Sequence, residues 1–353
     1  MPSDYAFEDL SSILEDPSVN WSNPAYDVKK AYVMSLFAAL AYEFLFDFEI
    51  NDLERIKVVP SFWFQQRAEQ GLTVNSELLR KRLGLEVVDF LEGEFAHYFI
   101  FWLRDVIVIA VRGTVPTYLA DLLADVKIMS QRECLNGSTN GSFHRGFFSE
   151  VVKNISALNK KVEKFGVFEK PRKNGVKVYI AGHSLGGAVG AILHGFWSRN
   201  NEIEMIEWNR ICDRFAARED DYLSHSSYVF GTPRICDSKT LDVFRGSFCC
   251  RNRADPFPKT PPETSGYCDL PVVQWLEPVD PDIRNATALN IWLSNLRKYR
   301  EVSNHFIDVY RRLVGELIEI ESPAKLIPDD VLEKIATKQK STNSSTHPPS
   351  APR

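Results

Sequence analysis

One stretch of the sequence decides the fold: residues 176–188 read Val-Lys-Val-Tyr-Ile-Ala-Gly-His-Ser-Leu-Gly-Gly-Ala. A run rich in β-branched and aromatic side chains leads into Gly-x-Ser-x-Gly, and small and apolar residues follow. This pattern is typical of a strand, a sharp turn and a helix that together raise a serine hydroxyl above the end of a sheet. Gly182 and Gly186 lack the Cβ atoms that would collide where strand and helix pack around the strained turn. The pattern predicts Ser184 as a nucleophile. Five residues alone are only moderately specific, so the serine needs partners.

The composition limits the class of protein. The chain has 353 residues, of which 44% are hydrophobic and 25% charged, enough for one large α/β domain or two smaller ones. A net charge of −5 provides no basic surface, so we expect no nucleic-acid partner. No apolar run is long enough to span a membrane. No metal-ligand spacing is present either, so we expect neither a metal nor another cofactor.

The cysteines and the N terminus indicate a cytoplasmic protein. The six cysteines have no CxxC pair and no framework spacing, which favours reduced thiols. The first residues lack the basic start and the apolar segment of a secretory signal. Glycosylation triplets that begin at Asn20 and Asn154 point weakly the other way, because they matter only in a secreted chain.

Strand and helix patterns alternate along the chain, which predicts a single α/β domain over residues 24–335 with a mostly parallel central sheet and helices on both faces. Residues 1–23 are polar, with little to hold them in a core, and the Ser/Thr/Pro-rich residues 336–353 are expected to be a disordered tail. The helix patterns cover residues 28–48, 147–165 and 291–320, and the strand patterns cover residues 96–102, 106–111, 227–230 and 247–251. The first two strands are close enough for a hairpin. Because residues 106–111 are apolar on both faces, they are expected to form a central strand.

The partners of Ser184 follow from chain order. In folds with this turn the acid follows the serine and the histidine follows the acid. The histidines after Ser184 are His194, His225, His305 and His347. Asp255, just past the strand at residues 247–251, is the favoured acid, and Asp237 is the second candidate. If Asp255 is the acid, the histidine must follow it, which leaves His305 and His347. His347 lies in the expected disordered tail, so His305 is the favoured base.

The simpler interpretations of these residues are structural. A lone histidine is usually a satisfied core or surface residue, and an aspartate before proline usually initiates a turn. Their order relative to Ser184 favours the triad Ser184, Asp255 and His305. The oxyanion hole is expected from the backbone N–H of Leu185 and from Thr114, which directly follows the strand at residues 106–111. An ordinary strand-end turn is the alternative for Thr114.

At this point several separated blocks resemble the class 3 (fungal-type) lipases of the α/β-hydrolase fold. The blocks are Val-Ile-Ala-Val-Arg-Gly-Thr (residues 108–114), Phe-His-Arg-Gly-Phe (143–147), Gly-His-Ser-Leu-Gly-Gly-Ala (182–188), Phe-Gly-Thr-Pro-Arg (230–234), Asn-Arg-Ala-Asp-Pro-Phe-Pro (252–258) and Asn-His-Phe-Ile-Asp-Val-Tyr (304–310). By this resemblance the triad and both oxyanion donors fall on the residues already derived.

The resemblance also implies a mobile lid after the oxyanion strand, at residues 115–128, for which an amphipathic surface helix is the alternative. The set expected at the substrate or the lid is Tyr118, Leu119, Leu122, His144 and His183. The sequence departs from the family at Phe257, where valine is usual. The segment at residues 259–300 is long, and we expect it to form an extra flap or an acyl-binding wall.

The resemblance implies a serine hydrolase of lipid esters that works through an acyl-enzyme. The alternatives are a phospholipase, an acyltransferase or thioesterase with the same triad, and a catalytically silent lipid-binding or scaffold protein. The expected partner is a lipid ester, met at a membrane or droplet surface. Acyl length, head group and oligomeric state are left open by the sequence.

Overall fold

The structure is a computed structural model that describes residues 13, 16–50, 85–103, 105–113, 132–134, 141–167, 176–198, 224–277, 305 and 307–318. The described helices are α1 (Val28–Ile50), α2 (Arg145–Glu163), α3 (Leu185–Trp197) and α4 (Ile307–Glu316). The strands are β1 (Leu85–Glu92), β2 (His97–Leu103), β3 (Val106–Arg112), β4 (Arg132–Cys134), β5 (Ser142–His144), β6 (Lys177–His183), β7 (Ser226–Phe230), β8 (Ser247–Asn252) and β9 (Val272–Leu276). Thr114, the expected lid at residues 115–128 with Tyr118, Leu119 and Leu122, and the tail at residues 336–353 lie outside the described residues.

The main sheet has the strand order β1-β2-β3-β6-β7-β8-β9 among the described residues. β1, β2 and β3 pair antiparallel, which confirms the predicted hairpin of β2 and β3. From β3 onward the pairing is parallel through β6, β7, β8 and β9. The carboxyl ends of these parallel strands therefore meet at one edge of the sheet, where ligands bind in open α/β folds. The mostly parallel α/β architecture predicted from the sequence is confirmed.

Helices cover both faces of the sheet. Along β3, Ile107, Ile109 and Val111 are buried in a cluster with α2 and α3. Val108 and Ala110 are buried in a second cluster with α1 and α4. Because successive side chains of a strand point to opposite faces, a strand covered on both sides must be apolar at every position, as the sequence predicted for β3.

The N-terminal extension contacts this core more closely than its polar composition predicts. Ile13 and Val19 are buried in the cluster that contains α1. The ring of Trp21 packs edge-on against Tyr179 of β6, with 5.4 Å between ring centroids. The hydroxyl of Tyr179 donates to the carbonyl of Trp21 at 2.6 Å. The expectation that little holds residues 1–23 in a core is therefore wrong for these three side chains.

Two strands of the main sheet were not individually predicted. β1 extends the sheet beyond β2, and β9 extends it beyond β8. β9 lies in the segment for which a flap or an acyl-binding wall was expected, and it pairs with β8 from Cys249 to Asn252. Of the helices that the structure describes, none is long and apolar enough to cross a membrane.

Candidate active site

Ser184 lies in a strained turn at the carboxyl end of β6. Its backbone has φ 58° and ψ −129°, and it is the one non-glycine residue with positive φ among those described. Such a conformation costs about 1–3 kcal/mol and persists only where the surroundings enforce it. A Cβ at Gly186 would overlap the carbonyl oxygen of Val111, so β3 and the turn interlock through a glycine. The Ser184 N–H donates to the carbonyl of Phe230 at 2.9 Å, which fixes the turn to the end of β7.

Asp255 and His305 form a buried pair. His305 Nδ1 lies 2.7 Å from Asp255 Oδ2, and both side chains are buried. The same carboxylate oxygen accepts the hydroxyl of Tyr310 at 2.7 Å, and Oδ1 accepts the N–H of Phe257 at 2.8 Å. Since an ionised carboxylate can only accept, Nδ1 carries a proton, and in the neutral ring Nε2 is left as an acceptor. This is the tautomer that a general base needs.

Gly231 joins the pair to the turn. It directly follows Phe230, and its φ is +58°. A Cβ at this position would lie 3.0 Å from His305 Cε1 and 3.2 Å from Asp255 Oδ2. The end of β7 therefore contacts Ser184 through Phe230, and it contacts the Asp255–His305 pair through Gly231. All three residues predicted as a triad lie at the same edge of the sheet.

The buried polar atoms at this edge that have no hydrogen-bond partner among the described residues include one from each of two triad residues. They are Ser184 Oγ and His305 Nε2, and both are buried. Buried polar atoms are nearly always bonded, and exceptions call for a chemical explanation. The two atoms are a hydroxyl and the basic nitrogen that could take its proton, and a hydrogen bond closed between them would satisfy both.

His183 contacts His305 rather than standing apart as a substrate contact. Its Nε2 lies 2.5 Å from the carbonyl oxygen of His305, so Nε2 is the donor, and its Nδ1 accepts the hydroxyl of Tyr42 at 3.0 Å. The two imidazole rings lie 4.7 Å apart between centroids. Burial, reinforced by the nearby His305, holds the pKa of His183 well below its usual value. His183 is therefore neutral, and it anchors the backbone of His305.

His144 lies at the start of α2, as the last residue of β5. Its buried ring stacks on Phe147, with 4.1 Å between centroids, and lies 5.9 Å from the ring of Tyr267. The backbone N–H of His144 donates to the carbonyl of Ile235 at 2.8 Å. These contacts join α2 to the segment that follows β7.

Of the two expected oxyanion donors, the structure describes Leu185 but not Thr114. Leu185 is the first residue of α3, where backbone N–H groups have no intrahelical partner and the helix dipole favours negative charge. A Cβ at Gly113, at the end of β3, would lie 2.8 Å from the nitrogen of Gly186 and 3.1 Å from that of Leu185. The segment after β3 thus abuts the serine turn. Thr114, the next residue, is outside the described part of the chain.

Asp237, the second candidate acid, has a structural role. Its carboxylate accepts the hydroxyls of Ser142 and Thr240, each at 2.8 Å. It also accepts the N–H of Lys239 and caps the short helix Ser238–Phe244. These contacts tie β5 to the segment after β7.

The other candidate histidines contact residues at the amino ends of strands. His194 Nδ1 pairs with Ser224 Oγ at 2.9 Å, and Nε2 donates to the carbonyl of Arg245 at 3.1 Å. Ser224 and Arg245 precede β7 and β8. His225 Nδ1 accepts the N–H of Val178, near the start of β6, at 3.2 Å. Both histidines therefore lie away from the edge that carries Ser184.

The sequence reasoning did not find Tyr42 or Tyr310. Tyr310 ends the last block that resembled a known family, which was the available signal for it. Tyr42 lies inside a long apolar helix pattern, and nothing local marks its hydroxyl as a partner of a histidine 141 residues away.

Comparisons with known proteins give the following. The class 3 lipase family model matches residues 108–265. Lipase II from Rhizopus niveus is 15% identical, with a TM-score of 0.43 over 60% of this chain and 74% of that one. The mono- and diacylglycerol lipase from Aspergillus oryzae is 14% identical, with a TM-score of 0.44 over 70% of this chain and 78% of that one. No curated protein matches. Residues 108–265, which include Ser184 and Asp255, are therefore similar in sequence to the class 3 lipases.

Proposed function

We propose that the chain hydrolyses lipid carboxyl esters with a triad of Ser184, Asp255 and His305. One observation carries this proposal. The buried Asp255–His305 pair, 2.7 Å apart, lies at the same sheet edge as the strained Ser184, with His305 Nε2 and Ser184 Oγ left unbonded among the described residues. The match to the class 3 lipases supports a lipid ester as the substrate.

The chemistry follows from the arrangement. His305 Nε2 removes the proton of Ser184 as its oxygen attacks the ester carbonyl. The N–H of Leu185, with the donor expected from Thr114, stabilises the charge that develops on the carbonyl oxygen. Asp255 stabilises the imidazolium, which then protonates the leaving alcohol. Water, activated by the same histidine, releases the fatty acid from Ser184.

Buried contacts on each side of His305 support the catalytic geometry. The hydroxyl of Tyr310 and the N–H of Phe257 hold the Asp255 carboxylate in one orientation. Tyr42 orients His183, which holds the carbonyl of His305. The rings of Phe257 and His183 lie at 4.2 Å and 4.7 Å from the His305 ring. A histidine held by its backbone, its Nδ1 and its ring faces keeps Nε2 in place for proton transfer.

We further propose acylglycerols as the substrate class, in keeping with the match to the class 3 lipases. A lid over residues 115–128, a cytoplasmic location and action at a membrane or droplet surface stay predictions from the sequence. Faster turnover above the concentration at which the ester forms an interface would support the lid.

The test is hydrolysis by purified protein of a p-nitrophenyl ester and of a panel of mono-, di- and triacylglycerols and a phospholipid. We expect Ser184→Ala to lose at least about 10³-fold in kcat, as removal of a triad member does. Ser226→Ala is the matched control. Ser226 is also a buried serine, but it is the first residue of β7 and therefore lies at the amino end of the parallel strands, away from Ser184. Unchanged turnover in Ser184→Ala would contradict the proposal. Ester formation with added alcohol, in place of fatty acid release, would show an acyltransferase.

A further inference from the structure

Cys236 and Cys268 face each other next to the loop that carries the catalytic acid. They are direct partners in an antiparallel bridge outside the main sheet. The backbone N–H of Cys268 donates to the carbonyl of Cys236 at 2.9 Å, and the Cys268 thiol donates to the same oxygen at 3.4 Å. Residue pairs that are hydrogen-bonded across an antiparallel ladder have Cα atoms about 5.5 Å apart. Disulfides span Cα separations of about 4.4–6.8 Å, a range that includes this spacing.

The two thiols differ in exposure and in acidity. Cys236 is fully buried, whereas Cys268 is partly exposed. A hydrogen bond from the Cys236 thiol lowers the pKa of Cys268, and the same contact raises the pKa of Cys236. Arg234 also favours the Cys268 thiolate, while Asp237 and Asp269 oppose it. Cys268 is therefore the accessible nucleophile, with Cys236 beside it as the second thiol.

The neighbouring cysteines of β8 provide the contrast. Cys249 and Cys250 are adjacent in a strand, so their side chains point to opposite faces of the sheet, and both are buried. Burial raises the pKa of the Cys249 thiol to about 11, and it raises that of Cys250 further. Thiols of this kind are inert.

We propose that Cys236 and Cys268 are a redox-active thiol pair that small-molecule disulfides oxidise to an intramolecular disulfide. The Cys268 thiolate attacks one sulfur of glutathione disulfide, the sulfur–sulfur bond breaks, and one glutathione thiolate leaves. The Cys236 thiol then loses its proton and attacks the Cys268 sulfur of the mixed disulfide. The second glutathione leaves as a thiolate and takes up a proton. Two protein thiols are oxidised, and one disulfide is reduced to two thiols.

The bond would link two segments that already support the site. Arg234, two residues before Cys236, donates to Asp269, the residue after Cys268, at 2.6 Å. Arg234 also donates to the carbonyls of Lys259 and Pro261, in the loop that follows Asp255, at 2.7 and 3.0 Å. Because the new bond would join segments already held together, the oxidised protein should keep the geometry of the site. Closing a 33-residue loop should also raise its resistance to unfolding.

The test is to incubate the reduced protein with glutathione disulfide, block free thiols, and map disulfide-linked peptides by mass spectrometry without reduction. We expect one cross-link, between Cys236 and Cys268, and a higher urea midpoint that reverses with reductant. Cys236→Ser should stop at a glutathione adduct on Cys268, and Cys268→Ser should yield neither the adduct nor the cross-link. Cys249→Ser, the matched control, should form the cross-link as the wild type does.

Three results would overturn the proposal. The first is no cross-link under conditions that oxidise a model dithiol of similar acidity. The second is a cross-link from either cysteine to another residue. The third is a glutathione adduct on Cys249 or Cys250 in place of Cys268. None of these readouts depends on ester hydrolysis, so this proposal and the proposed function fail separately.

Discussion

Replacing Gly231 with alanine should slow catalysis without unfolding the protein. Gly231 has φ +58°, a conformation that costs an L-residue about 1–2 kcal/mol. The added Cβ would lie 3.0 Å from His305 Cε1, 3.1 Å from Nδ1 and 3.2 Å from Asp255 Oδ2. Relaxed contacts between carbon atoms are about 3.5–4.0 Å, so the imidazole must shift by roughly half an ångström.

That shift sets the expected loss of activity. Misplacing a reacting group by about 1 Å costs on the order of 10²-fold in rate, so Gly231→Ala should lower kcat by about 10- to 100-fold. KM should change little, because the substitution moves the base rather than a substrate contact. Steady-state hydrolysis of a p-nitrophenyl ester measures both parameters, and urea unfolding measures stability alongside.

Gly246 provides the matched control. It also has positive φ, +85°, and a Cβ there would lie 2.9 Å from the Nε2 atom of another histidine, His194. Gly246→Ala should therefore lose a similar free energy of unfolding while keeping kcat within about twofold, because His194 lies at the opposite edge of the sheet. A wild-type kcat in Gly231→Ala, or equal losses of kcat in the two variants, would refute the placement of His305 as the base.

Three further predictions test other contacts. Asp255→Asn should lower kcat by about 10³- to 10⁴-fold, because the amide can no longer stabilise a charged His305, whereas Asp237→Asn should change only the urea midpoint. Tyr310→Phe removes one donor from the Asp255 carboxylate, worth about 1.5–3 kcal/mol, and should lower kcat about 10-fold or more; unaltered kcat would show that the remaining donors suffice. Burial lowers the pKa of His194 from 6.5 to about 4, so the unfolded chain binds a proton that the folded protein excludes. His194 alone should therefore contribute about 3 kcal/mol to the fall in the free energy of unfolding as the pH drops from 6.5 to 4. In His194→Gln this fall, measured by urea unfolding at each pH, should be smaller, and an equally steep fall would contradict the assignment.

The parts of the fold that local patterns encode could be predicted from the sequence. The strand–turn–helix around Ser184 depends on glycines and small residues at fixed spacing, and the unbroken apolar run of β3 follows from burial on both faces. Its place just past the strand at residues 247–251 favoured Asp255 over the other aspartates after Ser184, and chain order then left His305 as the one histidine before the tail.

The remainder depends on contacts between distant segments. The roles of Tyr42 and Tyr310 depend on which way each hydroxyl points across packed helices and strands, which no local pattern records. Ile13 and Val19 are isolated apolar residues in a polar segment, and the apolar surface beside α1 decides their burial. β9 is short, and its exposed Val273 and Trp275 hide the pattern of a sheet strand.

The most direct test of the central claim is active-site labelling with a fluorophosphonate, followed by peptide mass spectrometry. Such probes bond covalently to a serine only when a neighbouring base activates its hydroxyl. We expect one label per chain, on Ser184, with labelling abolished in Ser184→Ala and strongly slowed in Asp255→Asn. Labelling of another serine, or no labelling of the folded wild-type protein, would contradict the account.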